Sequence, residues 1–238
     1  MAASDRPASA PAIPVVPAFA CWAGAWLLGS GVLAAVAIGA MGGDLDGDLT
    51  IGQLTVAAVV GWISFLVALW VVSRRYGSGT FVADYAWRFE PVDLIGIPVG
   101  VATQLVLVPL LYVPLRAVWP DTFDAERLEE RARELADQAE GLSVVALVLV
   151  VVVGAPIVEE LVYRGLLQRS ISTLTPPLVG LAIASIWFSL IHLAPVEYPG
   201  LALAGAVFGA GLLWTGRLGP AVVTHAAFNA TGLALVLA

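Results

Sequence analysis

The chain has 238 residues, of which 60% are hydrophobic and only 12% charged. A soluble domain carries roughly twice that charge, so the composition is that of a polytopic membrane protein and excludes a soluble enzyme on a single anchor. The net charge of −7 argues against a nucleic-acid partner; all eleven basic residues are arginine, which excludes a Ser–Lys dyad or a Schiff-base lysine, and the single cysteine, Cys21, excludes intrachain disulfides and Cys-rich zinc sites.

Residues 1–18 hold Pro7, Pro11, Pro14 and Pro17 among alanines and read as a disordered tail. A first apolar segment, read as retained in the protein, covers 19–41. Asp44, Asp46 and Asp48 follow with Gly43 and Gly47. Their spacing is like that of a calcium loop, but the Glu ligand is missing, and a solvated turn is the expectation. A second segment, 51–73, stops at Arg74 and Arg75; a third, 94–115, contains Pro98, Pro109 and Pro114. Between them lies a polar loop whose aromatic residues, such as Tyr76, Tyr85 and Trp87, suit a membrane interface. These first three segments form one N-terminal unit, 19–118.

Residues 119–141 change character. Leu128, Ala132, Leu135 and Ala139 recur at helical spacing among eight acids and three arginines, which predicts an acidic amphipathic helix outside the hydrocarbon with little affinity for anionic lipid. Four more segments make up the last unit, 142–238: about 142–169, 176–194, 198–215 and 218–237. The fold class is therefore all-α, a transmembrane bundle of about seven spanning helices plus one amphipathic helix outside the membrane. The multi-pass topology predicts residence in the cell membrane, with the bilayer as a partner. Placing the N-terminus in the cytoplasm puts Arg74, Arg75, Arg88, Arg164, Arg169 and Arg217 inside and leaves Arg116 and the acidic helix outside, a modest positive-inside bias.

Residues 141–158 carry no charge; Glu159 and Glu160 then appear together, with Arg164 four residues on. Charges at the end of an apolar span are costly and mark function. On a helix Glu160 and Arg164 share a face, and Glu159 points about 100° away. Two further pairs at the same spacing follow: Phe188 with His192, and His225 with Asn229. Both histidines of the chain and its intramembrane Glu pair thus fall in one block. No aspartate follows Asp137, which excludes a Ser-His-Asp triad there.

EExxxR, then FxxxH, then HxxxN or HxxxD resembles the pattern of the CAAX-protease and bacteriocin-processing (CPBP, or Abi) family of intramembrane proteases. That family includes the CAAX prenyl endopeptidase of the eukaryotic endoplasmic reticulum and lysostaphin-resistance-like bacterial proteins. The resemblance covers 142–238 and includes Arg164-Gly165. It implies an intramembrane endopeptidase acting on a membrane-associated peptide or protein. By resemblance, Glu159 and His192 position and deprotonate the water, Glu160 pairs with Arg164, and His225 and Asn229 serve the oxyanion. A zinc site of the His₂Glu kind, built from His192, His225 and Glu159 or Glu160 with the other Glu as base, is the alternative, and the sequence leaves the two open. A scaffold or immunity protein of the same fold and a transporter or proton pathway are the competing classes. The prenylated C-terminal peptide cut by the eukaryotic enzymes is not indicated by any residue here. Counting 1.5 Å per residue along fully spanning helices separates His192 and His225 in depth by about 10 Å, an offset the fold must accommodate.

Overall fold

Where no water reaches the backbone, each N–H and C=O must find a partner within its own segment, so apolar runs of this length fold as helices. The structure, a computed structural model, describes residues 13–45 and 47–237, without the side chains of residues 125, 126 and 129–132. Asp46 of the acidic turn and residues 1–12 of the tail therefore lie outside the described residues. Among the described residues six helices are long and apolar enough to cross a membrane: α1 (Val15–Ala40), α2 (Ile51–Tyr76), α3 (Pro91–Val118), then α5 (Leu142–Ile171), α7 (Tyr198–Thr215) and α8 (Gly219–Leu237). Between α3 and α5 lies α4 (Ala125–Asp137), the acidic helix, and between α5 and α7 the shorter apolar α6 (Pro177–Leu190).

Two sequence expectations change. The first helix starts at Val15, inside the stretch assigned to the tail. Pro14 and Pro17 are tolerated there because the first helical turn has no use for their missing N–H groups. Burial of Ile13, Ala18 and Trp22 ties this turn into the core. The second concerns one segment; the bundle as a whole matches the expected all-α fold of about seven helices. The 176–194 segment forms only a 14-residue helix, about 21 Å long, too short for a flat crossing. It is stopped by a turn at 191–197 that holds Pro195, where Leu193 adopts a left-handed backbone (φ 54°).

Chain order sorts the connections onto two faces. Arg74, Arg75, Arg88, Arg169 and Arg217 belong to the face that carries the 77–90, 172–176 and 216–218 links. The acidic turn, Arg116 and α4 belong to the other. Arg164, counted above among the inside charges, is wholly buried and says nothing about orientation.

The arginine-rich face is closed by the 77–90 link, held by polar contacts. Asp93, at the start of α3, takes a two-nitrogen fork from Arg217 (2.7 and 2.9 Å), and Gly219 presses so closely on its carboxylate that a Cβ would collide. Arg217 in turn has its pKa raised, above all by that Asp93 hydrogen bond. The Tyr85 hydroxyl donates to the Leu69 carbonyl at 2.6 Å, and Arg169 reaches the Ala83 carbonyl at 3.1 Å. Asp84 accepts from the Ser73 hydroxyl at 2.5 Å and from the Ser78 N–H at 2.8 Å. Burial by itself would raise the Asp84 pKa, but these hydrogen bonds outweigh it and hold the carboxyl below its ordinary value. A depressed native pKa gives stability that is complete above the unfolded-state value and is lost as pH falls through the native one. The stability difference between wild type and Asp84→Asn should therefore be full at neutral pH. It should shrink below the ordinary aspartate value of about 3.9 and vanish once Asp84 is protonated in the native state. Thermal denaturation in detergent across that range checks this, and a difference that does not change with pH contradicts it.

The N-terminal helices pack into the C-terminal unit rather than standing apart. α3 lies against α8 at Gly96 and Gly100, where a Cβ would collide with Thr224. α2 meets α5 at Gly154, where the Trp62 ring fills the space of a Cβ. The core cluster accordingly mixes α1 and α2 residues (Trp22, Leu69) with those of α5 to α8 (Leu161, Phe188, Phe208, Ala221).

Candidate active site

The site is built on α5, which departs from regular α geometry through wide, π-type turns at Leu149–Gly154 and Glu160–Gln168. Such turns free backbone groups and turn side chains to new directions. The N–H of Ala155 reaches back five residues to the Val150 carbonyl, and Pro156 has no N–H to give. The Val151 carbonyl is thereby left without its helical donor, and the Asn229 side-chain amide supplies one at 2.8 Å. Asn229 is thus fixed by a defect in the helix opposite it, with the second hydrogen of its amide left over.

Glu159 and Glu160 lie at the junction of α geometry with the second wide turn and have different surroundings. The Glu160 and Arg164 side chains are 0% exposed and pair at 3.0 Å, whereas Glu159 keeps 27% of its side chain accessible. Arg164 also donates to the Gly205 carbonyl at 2.8 Å, and it lies over the Phe188 ring, 4.6 Å from its centroid. Gly205 allows this close approach: a Cβ there would sit 3.0 Å from the guanidinium and press on it. One turn on, Gln168 repeats the contact, donating to the Gly209 carbonyl at 3.1 Å. Two donors one turn apart on α5 therefore lock the register of α7.

His225 is buried, and its Nδ1 lies 2.8 Å from Glu160 Oε1. A carboxylate can only accept, so Nδ1 carries the proton and Nε2 is the other working nitrogen. Nε2 lies 3.8 Å from Glu159 Oε2. The ring stacks on Phe208 at 4.4 Å and meets Phe188 edge-on at 5.8 Å. Phe188 also contacts the His192 ring at 4.7 Å, so the Phe of the FxxxH pair is the packing hub of Arg164 and both histidines. His192 itself follows the last turn of α6. Its Nδ1 donates to the Phe188 carbonyl at 2.7 Å, which caps the helix end and puts the lone pair of the neutral ring on Nε2.

Glu159, His192 and Asn229 line one cavity of about 850 Å³. Its walls include Trp26 of α1, Trp62 of α2, Tyr112 of α3, and Leu128 and Leu135 of α4. The two histidines stand differently toward this cavity. His225, near the start of α8, is not among the lining residues and stands behind Glu159; Asn229, one turn along, and His192, beyond the end of α6, are on the wall.

Among the described residues no three His, Cys, Asp or Glu side chains are grouped to hold a metal ion; the Nδ1 atoms of His225 and His192 are committed to Glu160 and Phe188, which leaves Nε2 as the available nitrogen of each ring.

Residues 141–231 match a family model, that of the Rce1-like proteins, described as type II CAAX prenyl endopeptidase Rce1-like. Over this segment the chain is similar to the Rce1-like family. No curated protein and no solved structure matches the chain. The matched segment holds Glu159, Glu160, Arg164, His192, His225 and Asn229, and the six long apolar helices make the protein a multi-pass membrane protein. The cavity extends beyond that segment. Trp26, Trp62, Gln104, Tyr112 and Arg116 come from α1 to α3, which carry no family motif. Glu197 is also on the wall; its sequence signal was an acid immediately before an apolar helix.

Proposed function

We propose that the protein is an intramembrane endopeptidase of the cell membrane that hydrolyses a peptide bond in a membrane-associated protein or peptide. The observation that carries this reading is the meeting of Glu159, His192 and Asn229 on one cavity wall, with His225 Nε2 3.8 Å behind the Glu159 carboxylate. Glu159, the accessible one of the two carboxylates, holds a water with His192 and takes its proton as the oxygen attacks the substrate carbonyl. Taken as ionised, Glu159, Glu160 and Arg164 sum to one negative charge, so a proton accepted at the Glu159–His225 contact neutralises the cluster rather than charging the bundle interior. The remaining N–H of Asn229, with His225 behind it, faces the developing oxyanion. The proton then passes to the amine as the C–N bond breaks. Glu160 and Arg164 hold His225 in place and touch no substrate.

α4 contributes only Leu128 and Leu135 to the large cavity among its described residues, and its sequence offers no catalytic group. Its expected role is admission of the substrate. Replacing residues 121–140 by a polar linker should leave hydrolysis of a short soluble peptide unchanged and slow cleavage of a bilayer-anchored one. Loss of the soluble-peptide activity would make α4 part of the catalytic site itself. The direct test of the function is a cleavage assay on purified protein with membrane-peptide libraries, comparing wild type with Glu159→Ala.

A further inference from the structure

Two spaces meet at His192. The first is the large cavity, whose walls from α1 and α2 are mainly aromatic and aliphatic: Trp26, Ala58, Trp62 and Phe65. The second, about 640 Å³, lies between α4 and the 191–197 turn. It is lined by Arg127 and Glu134 of α4 and by Ala194 and Val196 of the turn, none of which lines the first. His192 and Glu197 border both spaces, whereas Glu159 and Asn229 border only the large one. The turn between them is held rigidly: the Tyr112 hydroxyl donates to the Val196 carbonyl at 2.8 Å and accepts from the Gly200 N–H at 3.2 Å. Next to His192, Leu193 holds its left-handed backbone, a conformation that a residue with a β-carbon keeps only where the surroundings impose it.

We propose that this second space is a separate water entrance, through which bulk water reaches His192 while the substrate fills the large cavity. The inference rests on the hydrolytic reading for its purpose, but the route itself can be measured without activity. Each turnover consumes one water. A peptide lying in the aromatic cavity displaces the water there, and apolar walls hold water poorly. The smaller space under α4 has charged groups among its apolar lining, Arg127, Glu134 and Glu197 beside Trp26, Ile191 and Leu193, and these hold water. It opens on the face that carries α4, away from the plug of polar contacts on the arginine-rich face. Glu197, at the start of α7 and on both walls, is placed to hand water from one space to the other.

The test uses the full chain in lipid vesicles with Cys21→Ala as background, since Cys21 is the only thiol. Ala194→Cys lines only the second space and Ala58→Cys only the first. Each is reacted with a positively charged, membrane-impermeant methanethiosulfonate. A thiol in an apolar wall ionises less readily, and one pKa unit is a tenfold loss of thiolate. Ala194→Cys is therefore expected to react about tenfold faster than Ala58→Cys. Labelling Ala194→Cys should then lower kcat for a membrane peptide without changing KM, whereas labelling Ala58→Cys should raise KM. Equal labelling rates, or a labelled Ala194→Cys that turns over like the unlabelled variant, overturn the separate entrance. If the unlabelled protein cleaves nothing, the endopeptidase reading fails, and the ratio of labelling rates still decides whether the second space admits bulk water.

Discussion

Glu159→Gln is expected to lower peptide hydrolysis by about 10³-fold and to change stability by no more than about 0.5 kcal/mol. The side chain faces the cavity and packs into no core cluster. His225 Nε2 is 3.8 Å away, beyond direct hydrogen-bond range. Glutamine keeps the size and the acceptor oxygen but cannot take a proton from water. The loss should therefore appear in kcat, with KM little changed. Single-turnover cleavage and thermal denaturation on the same preparation separate the two effects. Activity within severalfold of wild type would remove Glu159 from the role of base.

Glu160→Gln is expected to do the reverse: a fall in stability of about 3–5 kcal/mol, with activity lost as a consequence. Glu160 and Arg164 are both fully buried, and Glu160 Oε1 is shared between Arg164 at 3.0 Å and His225 Nδ1 at 2.8 Å. Glutamine can still accept one of those hydrogen bonds, but it leaves the guanidinium without a counter-charge inside an apolar bundle. The strain should spread to α7, because the Gly205 carbonyl depends on the same arginine. Matched thermal denaturation of Glu159→Gln and Glu160→Gln in one detergent measures the difference. Equal losses would contradict the division of labour between the adjacent carboxylates.

The Glu160–Arg164 pair was legible in the sequence because it depends only on helical spacing: the two are one turn apart, and Glu159 is not on their face. The all-helical membrane architecture was equally legible, since long apolar runs admit few alternatives. Other features were not, for reasons that can be named. The short α6 has the composition of a spanning segment, and only the turn around His192 and Leu193 ends it early. The link between Asn229 and the Val151 carbonyl depends on a helix irregularity around Pro156, and sequence periodicity does not reveal wide turns. The cavity wall from α1 to α3 is made of ordinary membrane residues such as Trp26 and Trp62, which become functional only through what they face. Glu160 as the partner of His225 joins residues 65 apart in sequence, a contact no local pattern encodes.

The central claim is that water activated at Glu159 cleaves a peptide bond inside this bundle. Its most direct test is cleavage of a membrane peptide by purified protein in ¹⁸O-labelled water, read by mass spectrometry of the fragments. The account predicts one ¹⁸O in the new C-terminal carboxylate of the wild-type product and no cleavage above background by Glu159→Ala. Cleavage that proceeds equally well in Glu159→Ala, or that leaves no ¹⁸O in the product, would contradict it.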